Sequence, residues 1–281
     1  MKLTQKTDKA IKLEQLSFQT ESNSDTDLKI RLKMVVAYNG LGFHGFAFQP
    51  DQRTVAGSIL SVLKNFSSTK VDLVVAGRTD SGVHAKGQVI HCDLVPKDST
   101  FSTDQYLNKI QNSCNKMLGP EIVVRDITIV EPSFHARHSA VFRRYIYQIL
   151  NCKVPDPFLA PTTWHIQHLL DVSSMRLASD PLIGEHDFSS FCKKQSNPTA
   201  SYVRKVLDVN WSIKDKNIIQ FEIKSTSFCQ QMVRSIVGLM VEVGMGKLKA
   251  GDVTSILRSK DRSTFSTIAP PQGLFLMEVG Y

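Results

Sequence analysis

The sequence lacks the marks of membrane-spanning, secreted and zinc-ribbon proteins. No apolar run approaches the roughly 18 residues that a membrane-spanning helix needs, and the lysine-containing N-terminus has no apolar secretory segment. The five cysteines each lie more than 20 residues from the next, so no CxxC pair exists. An odd, dispersed set is typical of reduced thiols in an intracellular protein. We expect the cytoplasm as the compartment, with the nucleus and the mitochondrion left open.

Signals for a cofactor or a metal are also weak. The stretch GLGFHG (40–45) spells a dinucleotide-binding pattern after a predicted strand. Pro50 breaks the helix that should follow it, and the acidic candidate for the ribose, Asp72, is too distant. Two histidine pairs with a spacing of three lack a third ligand nearby. The sequence therefore predicts neither a cofactor nor a metal.

What the chain does have is size, apolar content and positive charge. It contains 281 residues, of which 42% are hydrophobic, and this is enough for a sizeable core. The net charge of +8 favours polyanionic partners such as nucleic acid, although many soluble proteins are basic without such a partner.

Hydrophobic periodicity divides the chain into a flexible polar tail at 1–28 and two halves, 29–133 and 134–281. The first half is predicted to contain strands at 30–39 and 121–130, helices at 54–66 and 103–118, and two strands flanking residues 77–85. The second half is predicted to contain strands at 143–150, 203–213, 218–226 and 273–281, and helices at 229–244, at 251–259 and from 171, where Pro181 limits the helix. Each half thus has the order β-α-β-β-α-β, the ferredoxin-like unit. We predict an α+β fold in which two ferredoxin-like halves form one continuous, mainly antiparallel sheet with helices on one face. A central cleft is expected on the open face.

The stretch GRTDSGVHA (77–85) joins two of these strands and invites two interpretations. Asp-Ser-Gly is good turn chemistry, so a β-hairpin alone would explain those three residues. However, Arg78 and Asp80 are two apart and project to the same side of an extended chain. Basic and aromatic residues also recur in FHARHSAVFRRYIY (134–147), a mixture that suits phosphate contacts and base stacking.

GRTDSGVHA closely resembles the active-site motif of the TruA-type tRNA pseudouridine synthases. Further matches to that family follow in chain order: Tyr38, Gly40, Gly45 and Gln49; Thr54, Val55 and Gly57; FHARHSA (134–140); Arg144 and Tyr145; GEHDFSSF (184–191); FCQQMVRSIVG (228–238); and GLFLMEVGY (273–281). The resemblance covers about residues 30 to 281. The chain departs from the family pattern at Asn39, Phe46 and Ala56, where Asp, Trp and Gln are usual.

The resemblance implies that the central cleft is an RNA-binding cleft, and it implies a role for each of four residues. Asp80 is the catalytic aspartate, acting on the target uridine as nucleophile or base, and Arg234 pairs with it. Tyr145 packs against the target base, and Arg78 helps to flip that base out or fills the space it leaves. The candidates for further RNA contacts are Phe46, His84, His135, Arg137, Arg143 and Arg144.

The expected function is thus that of a tRNA pseudouridine synthase, an isomerase without a cofactor. It would act on uridine in the anticodon arm, at tRNA positions 38–40. The partner is tRNA, no membrane is involved, and a homodimer is left open. The alternative is a non-catalytic RNA-binding protein on the same fold. Such a protein would have no reason to keep Asp80 together with Arg78, Tyr145 and Arg234.

Overall fold

A computed structural model describes residues 29–97, 100–194, 199–214, 217–265 and 267–281 of the chain, and the polar tail predicted at 1–28 lies outside them. The strands in these residues are Ile30–Tyr38 (β1), Leu73–Val75 (β2), His84–Leu94 (β3), Ile122–Val130 (β4), Phe142–Asn151 (β5), Trp164–Ile166 (β6), Gly184–Asp187 (β7), Val203–Lys214 (β8), Ile218–Ser225 (β9) and Leu274–Gly280 (β10). The α-helices are Val55–Leu63 (α1), Thr103–Leu118 (α2), Val172–Ser179 (α3), Met232–Gly244 (α4) and Asp252–Ser259 (α5).

One sheet runs through the described residues in the order β4-β1-β3-β10-β5-β9-β8-β7, with β2 paired to β3 and β6 paired to β5. Only the β3–β10 and β5–β6 pairs are parallel among these strands. Each group of four strands repeats one arrangement: β4-β1-β3-β2 in the first part and β10-β5-β9-β8 in the second. This is the strand order of a β-α-β-β-α-β unit in which the first strand lies between the third and the fourth. The predicted α+β fold is therefore confirmed.

The helices cover one face of this sheet. Along β1 the buried residues alternate with partly exposed ones, as expected for a strand with a single covered face. On the covered face, Cys92 of β3 and Cys114 of α2 are both buried in one hydrophobic core cluster. The Trp211 Nε1 in β8 donates to Ser179 Oγ of α3 at 2.8 Å. Both halves therefore carry their helices on the same side, and the hydrophobic core lies between sheet and helices.

Local sequence signals explain where several elements begin and end. Ser102 caps α2 in a reciprocal capping box with Gln105. Pro181 follows α3 within a short 3₁₀ turn, as its ring predicts. The helix expected from 229 begins only at Met232, because Gln231 before it has a left-handed backbone with φ of 67°. The residues before Met232 therefore form a loop, and this loop enters the site described next.

Candidate active site

The loop that carries Asp80 leaves β2 and returns into β3, and its backbone is held from several sides. Thr79 Oγ1 shares a 2.7 Å hydrogen bond with the Tyr38 hydroxyl, and Phe46 N donates to the Thr79 carbonyl at 3.1 Å. Gln88 Nε2 donates to the Gly77 carbonyl at 2.8 Å. The position of the loop is thus fixed by buried polar groups rather than by exposed turn residues alone.

The tip of the loop is a turn, as the hairpin interpretation predicts. Val83 N donates to the Asp80 carbonyl at 3.2 Å, and Gly82 adopts φ of +78°. A side chain at Gly82 would also come within 2.9 Å of Pro271. Glycine is therefore required at this corner both for its backbone conformation and for space.

Asp80 and Arg234 form an ion pair between the two halves of the sequence. Arg234 Nη1 lies 3.1 Å from Asp80 Oδ2, and the two side chains are 15% and 26% exposed. Gln230 Nε2 is 3.5 Å from the other carboxylate oxygen. The Nε of Arg234 donates to the Ala269 carbonyl at 2.8 Å, which orients the guanidinium. The carboxylate is thus held in place while a quarter of the side chain remains open to solvent.

Tyr145 lies in β5 and is buried, and its hydroxyl lies 3.9 Å from where a Cβ would stand at Gly77, at the start of the Asp80 loop. Its ring meets the Phe228 ring edge-on, with centroids 5.1 Å apart. Burial raises the pKa of the Tyr145 hydroxyl, and the charge of Asp80 adds to the shift. Tyr145 is therefore a neutral phenol within the electrostatic reach of the carboxylate.

The site lies on the helix-covered face of the sheet. Tyr145 and Tyr147 are two residues apart in β5, and they pair across to Ile223 and Phe221, which are fully buried in β9. Side chains two apart in a strand share a face, so Tyr145 projects toward the helices. The expectation that the cleft lies on the open face is wrong for these side chains.

Arg78 is exposed at the entrance to the loop. Unlike Arg234, it has no hydrogen bond or ion pair within the described residues, so its guanidinium is free to move. The structure therefore brings Asp80, Tyr145 and Arg234 together and leaves Arg78 as an unpaired cation two residues before the carboxylate.

His84 and Phe46, two of the candidates for RNA contact, lie in the interior. His84 Nδ1 accepts a hydrogen bond from Gly40 N at 3.1 Å, and its Nε2 lies 3.1 Å from the Pro161 carbonyl. Burial lowers the pKa of His84, so the imidazole is neutral and donates from Nε2. Phe46 is 2% exposed. Neither side chain is accessible to RNA in this conformation.

The four remaining candidates differ in exposure. Arg137 is exposed, and His135 is partly exposed beside His138, with ring centroids 4.3 Å apart. Arg144 is paired with both Glu222 and Glu278 at 3.2 Å. Arg143 is buried. Sequence alone could not separate Arg143 from Arg144, since both belong to one basic cluster.

A disulfide joins Cys192 to Cys229, whose Cα atoms are 5.8 Å apart. The expectation of five reduced thiols is therefore wrong for this pair. The free cysteines in the described residues are Cys92, Cys114 and Cys152. Lys193 N also donates to the Gln230 carbonyl at 3.0 Å. The loop that reaches Asp80 through Gln230 is thus attached to the segment after β7. The sequence did not predict the Cys192–Cys229 disulfide, because the two cysteines are 37 residues apart.

No group of three or more His, Cys, Asp and Glu side chains in the described ranges is arranged to hold a metal ion. Nor does any helix there have the length and apolar character needed to cross a membrane.

Comparisons with known proteins identify one family of tRNA-modifying enzymes. A family model described as tRNA pseudouridine synthase matches residues 178–281. The tRNA pseudouridine synthase A of Acetivibrio thermocellus is 38% identical over 252 residues, covering 89% of this chain and 99% of the relative. That of Thermoanaerobacter sp. (strain X514) is 39% identical over 250 residues, covering 88% and 98%. That of Listeria welshimeri is 36% identical over 253 residues, covering 89% and 99%.

The family model and the relatives together place the chain among the pseudouridine synthases. The chain is also 36 to 39% identical to three tRNA pseudouridine synthases A along nearly their whole length, which identifies the family within this class. The chain belongs to the tRNA pseudouridine synthase A family, the TruA family that its motifs resemble, and it is an enzyme of the isomerase type.

Proposed function

We propose that the chain converts uridine to pseudouridine in the anticodon arm of tRNA, at positions 38–40, with Asp80 as the catalytic carboxylate. The observation that carries this proposal is the arrangement at Asp80. One carboxylate, a quarter exposed, is held 3.1 Å from Arg234 beside the buried ring of Tyr145. The names of the relatives supply the substrate class.

The reaction is an isomerisation that side chains alone can perform. The N1–C1′ bond of the nucleoside breaks, the base turns, and a C5–C1′ bond forms, while C5 loses its proton to solvent and N1 takes one up. No electron or phosphoryl group is transferred. Asp80 serves as nucleophile or base, and the planar fork of Arg234 fixes the direction in which the carboxylate points.

The target base has to leave its stack before the carboxylate can reach it, which costs roughly a few kcal/mol. The rings of Tyr145 and Phe228, which meet edge-on, offer the flipped base an apolar surface that offsets part of that cost. Arg78 is the cation that enters the space the base leaves, because it is exposed and unpaired among the described residues.

Contacts with the tRNA backbone come from the exposed members of the basic set. Arg137 and His135 lie on the FHARHSA segment, outside the core, and the net charge of +8 favours a polyanion.

The cytoplasmic location and the homodimer stay predictions. Sedimentation velocity with and without tRNA tests whether the protein is a homodimer.

Tritium release from tRNA labelled with [5-³H]uridine tests the reaction. The wild type should release tritium, and Asp80→Asn should release none above background. Asp72→Asn is the matched control, since Asp72 is exposed and pairs only with Lys70 in the described residues, at 3.4 Å. Activity in Asp80→Asn equal to the wild type would refute the role of Asp80.

Primer extension after carbodiimide labelling tests the position. Pseudouridine keeps the adduct under alkaline treatment and stops the polymerase. Stops are expected within positions 38–40 of substrate tRNA, and only with the active enzyme. Enzyme-dependent stops confined to another part of the tRNA would refute the anticodon-arm assignment while leaving the chemistry intact.

A further inference from the structure

Arg143 is a buried cation without a carboxylate partner in the described part of the chain. It is the second residue of β5 and is only 7% exposed. Burial lowers its pKa, yet an arginine stays charged in proteins. A buried charge is costly unless polar groups surround it, so the groups that surround Arg143 indicate what the charge does.

Backbone carbonyls supply all of the partners of this guanidinium. Nη1 donates to the carbonyls of Ala140 at 3.2 Å and Thr226 at 2.7 Å. Nη2 donates to those of Ala76 at 2.9 Å and Arg137 at 2.7 Å. Each terminal nitrogen has two N–H groups, so all four of the terminal N–H groups are used, and of the five donors only the Nε–H is left over for a phosphate.

The four carbonyls belong to the three segments that build the site. Ala76 directly precedes the loop that carries Asp80. Thr226 precedes the loop that carries Phe228 and leads into α4 with Arg234. The other two carbonyls lie in FHARHSA (134–140). One planar group therefore fixes the spacing between the segment of the carboxylate and the segment of its partner.

We propose that Arg143 is a positioning residue for the isomerisation. Its guanidinium sets the separation between the Asp80 loop and the loop before α4, so that the carboxylate and Arg234 meet in the productive geometry. The inference rests on the proposed function, since it requires Asp80 to be the catalytic group. It replaces the RNA contact that the sequence predicted for Arg143.

Lysine keeps the charge but cannot reproduce this geometry. Its three donors radiate from a single nitrogen, whereas the guanidinium presents donors in a rigid, planar fork. An ammonium group cannot reach four carbonyls that two separate nitrogens now serve. Arg143→Lys therefore loosens the three segments without removing the positive charge.

The test compares full-length wild type and Arg143→Lys in three measurements: kcat and KM by tritium release, Kd for tRNA by filter binding, and thermal melting by circular dichroism. The assays run well below the melting midpoint of the variant. We expect kcat to fall about 100-fold, the loss typical of a catalytic group misplaced by about 1 Å, while Kd for tRNA stays within about threefold, since no phosphate contact is lost.

Arg31→Lys is the matched control. The Arg31 guanidinium pairs with Asp93 and donates to the carbonyls of Pro132 and Phe134. It therefore holds the start of the same segment but touches neither of the two loops that bring the ion pair together. Its kcat should stay within about twofold of the wild type, since no residue of the ion pair moves.

Two results would overturn the inference. A weakened Kd with unchanged kcat would make Arg143 an RNA contact, and a lower midpoint with unchanged kcat and Kd would make it purely structural. If the lysine variant does not fold, Arg143→Ala is assayed with guanidinium chloride or ammonium chloride at 10 mM, about the scale of effective concentrations. Restored turnover with guanidinium alone supports the proposal, and no restoration overturns it.

The result for Arg143→Lys can be distinguished from the result for Asp80→Asn. An active Asp80→Asn variant would refute the proposed function whatever Arg143→Lys does. An inactive Asp80→Asn variant together with a wild-type kcat for Arg143→Lys would refute only the positioning role.

Discussion

Removal of the Arg234 side chain should lower turnover far more than tRNA affinity. Arg234→Ala deletes a cation 3.1 Å from Asp80 Oδ2, in a pair whose side chains are 15% and 26% exposed. At that distance the Coulomb energy is about 5 kcal/mol for an effective dielectric of about 20. Water at the open side of the site screens the pair, and about 3 kcal/mol is a realistic loss. Because 1.36 kcal/mol is tenfold in rate, kcat should fall by about 100-fold.

Single-turnover tritium release at saturating enzyme measures the chemical step, and filter binding measures the affinity separately. Kd for tRNA should change by less than about threefold, because Arg234 faces the carboxylate and the Ala269 carbonyl rather than solvent. Arg176→Ala is the matched control, since Arg176 is exposed on α3 and bonds the Trp211 carbonyl. If only the affinity of Arg234→Ala falls, Arg234 is a phosphate contact and the reasoning fails.

Two further predictions concern stability. Gly40→Ala should lower the melting midpoint by several degrees or prevent folding, because a Cβ at this position would lie 2.1 Å from the Val83 carbonyl oxygen, at the end of the Asp80 loop. The control is Gly251→Ala, which should melt like the wild type because no atom lies within 4 Å of the added Cβ. Burial, with Arg31 and His135 adding, lowers the pKa of His91 to about 4 from 6.5. The unfolded chain therefore takes up a proton that the folded chain does not, and the free energy of unfolding should fall by about 3 kcal/mol as the pH drops from about 6.5 to about 4. Urea denaturation at pH 7 and pH 4.5 checks this, and an equal loss in His91→Gln would show that another group is responsible.

Elements with a strong period and local end signals were predictable from the sequence. β1 alternates apolar and polar residues, and α2 combines helical spacing with a capping box at Ser102. Resemblance to the family identified the motif residues Asp80, Tyr145 and Arg234. Asp80 and Arg234 come together because the loops that lead to them meet between the two halves.

The other features of the fold and of the site could not be predicted, because they depend on tertiary contacts that no local sequence pattern contains. β6 and β7 have three and four residues, too few to show a period, and neither was predicted. In FRRY, adjacent residues point to opposite faces of β5, so Arg143 is buried while Arg144 pairs with glutamates. Which of the two arginines faces inward follows from the register of β5 with β9 and β10.

The place of β10 in the sheet has a consequence for the order of folding during synthesis. It lies between β3 and β5, so the two halves of the sheet are joined through a strand that is translated after all the others described. The first half and the other three strands of the second half therefore leave the ribosome before the strand that joins them, and a nascent chain cannot assemble the complete sheet. A message truncated before residue 274 would encode a chain in which the edge of β5 over Phe142–Tyr147 is unpaired and the link to β3 at His84 and Ala85 is missing. Such a chain is a substrate for aggregation and for quality-control proteases rather than a weaker enzyme.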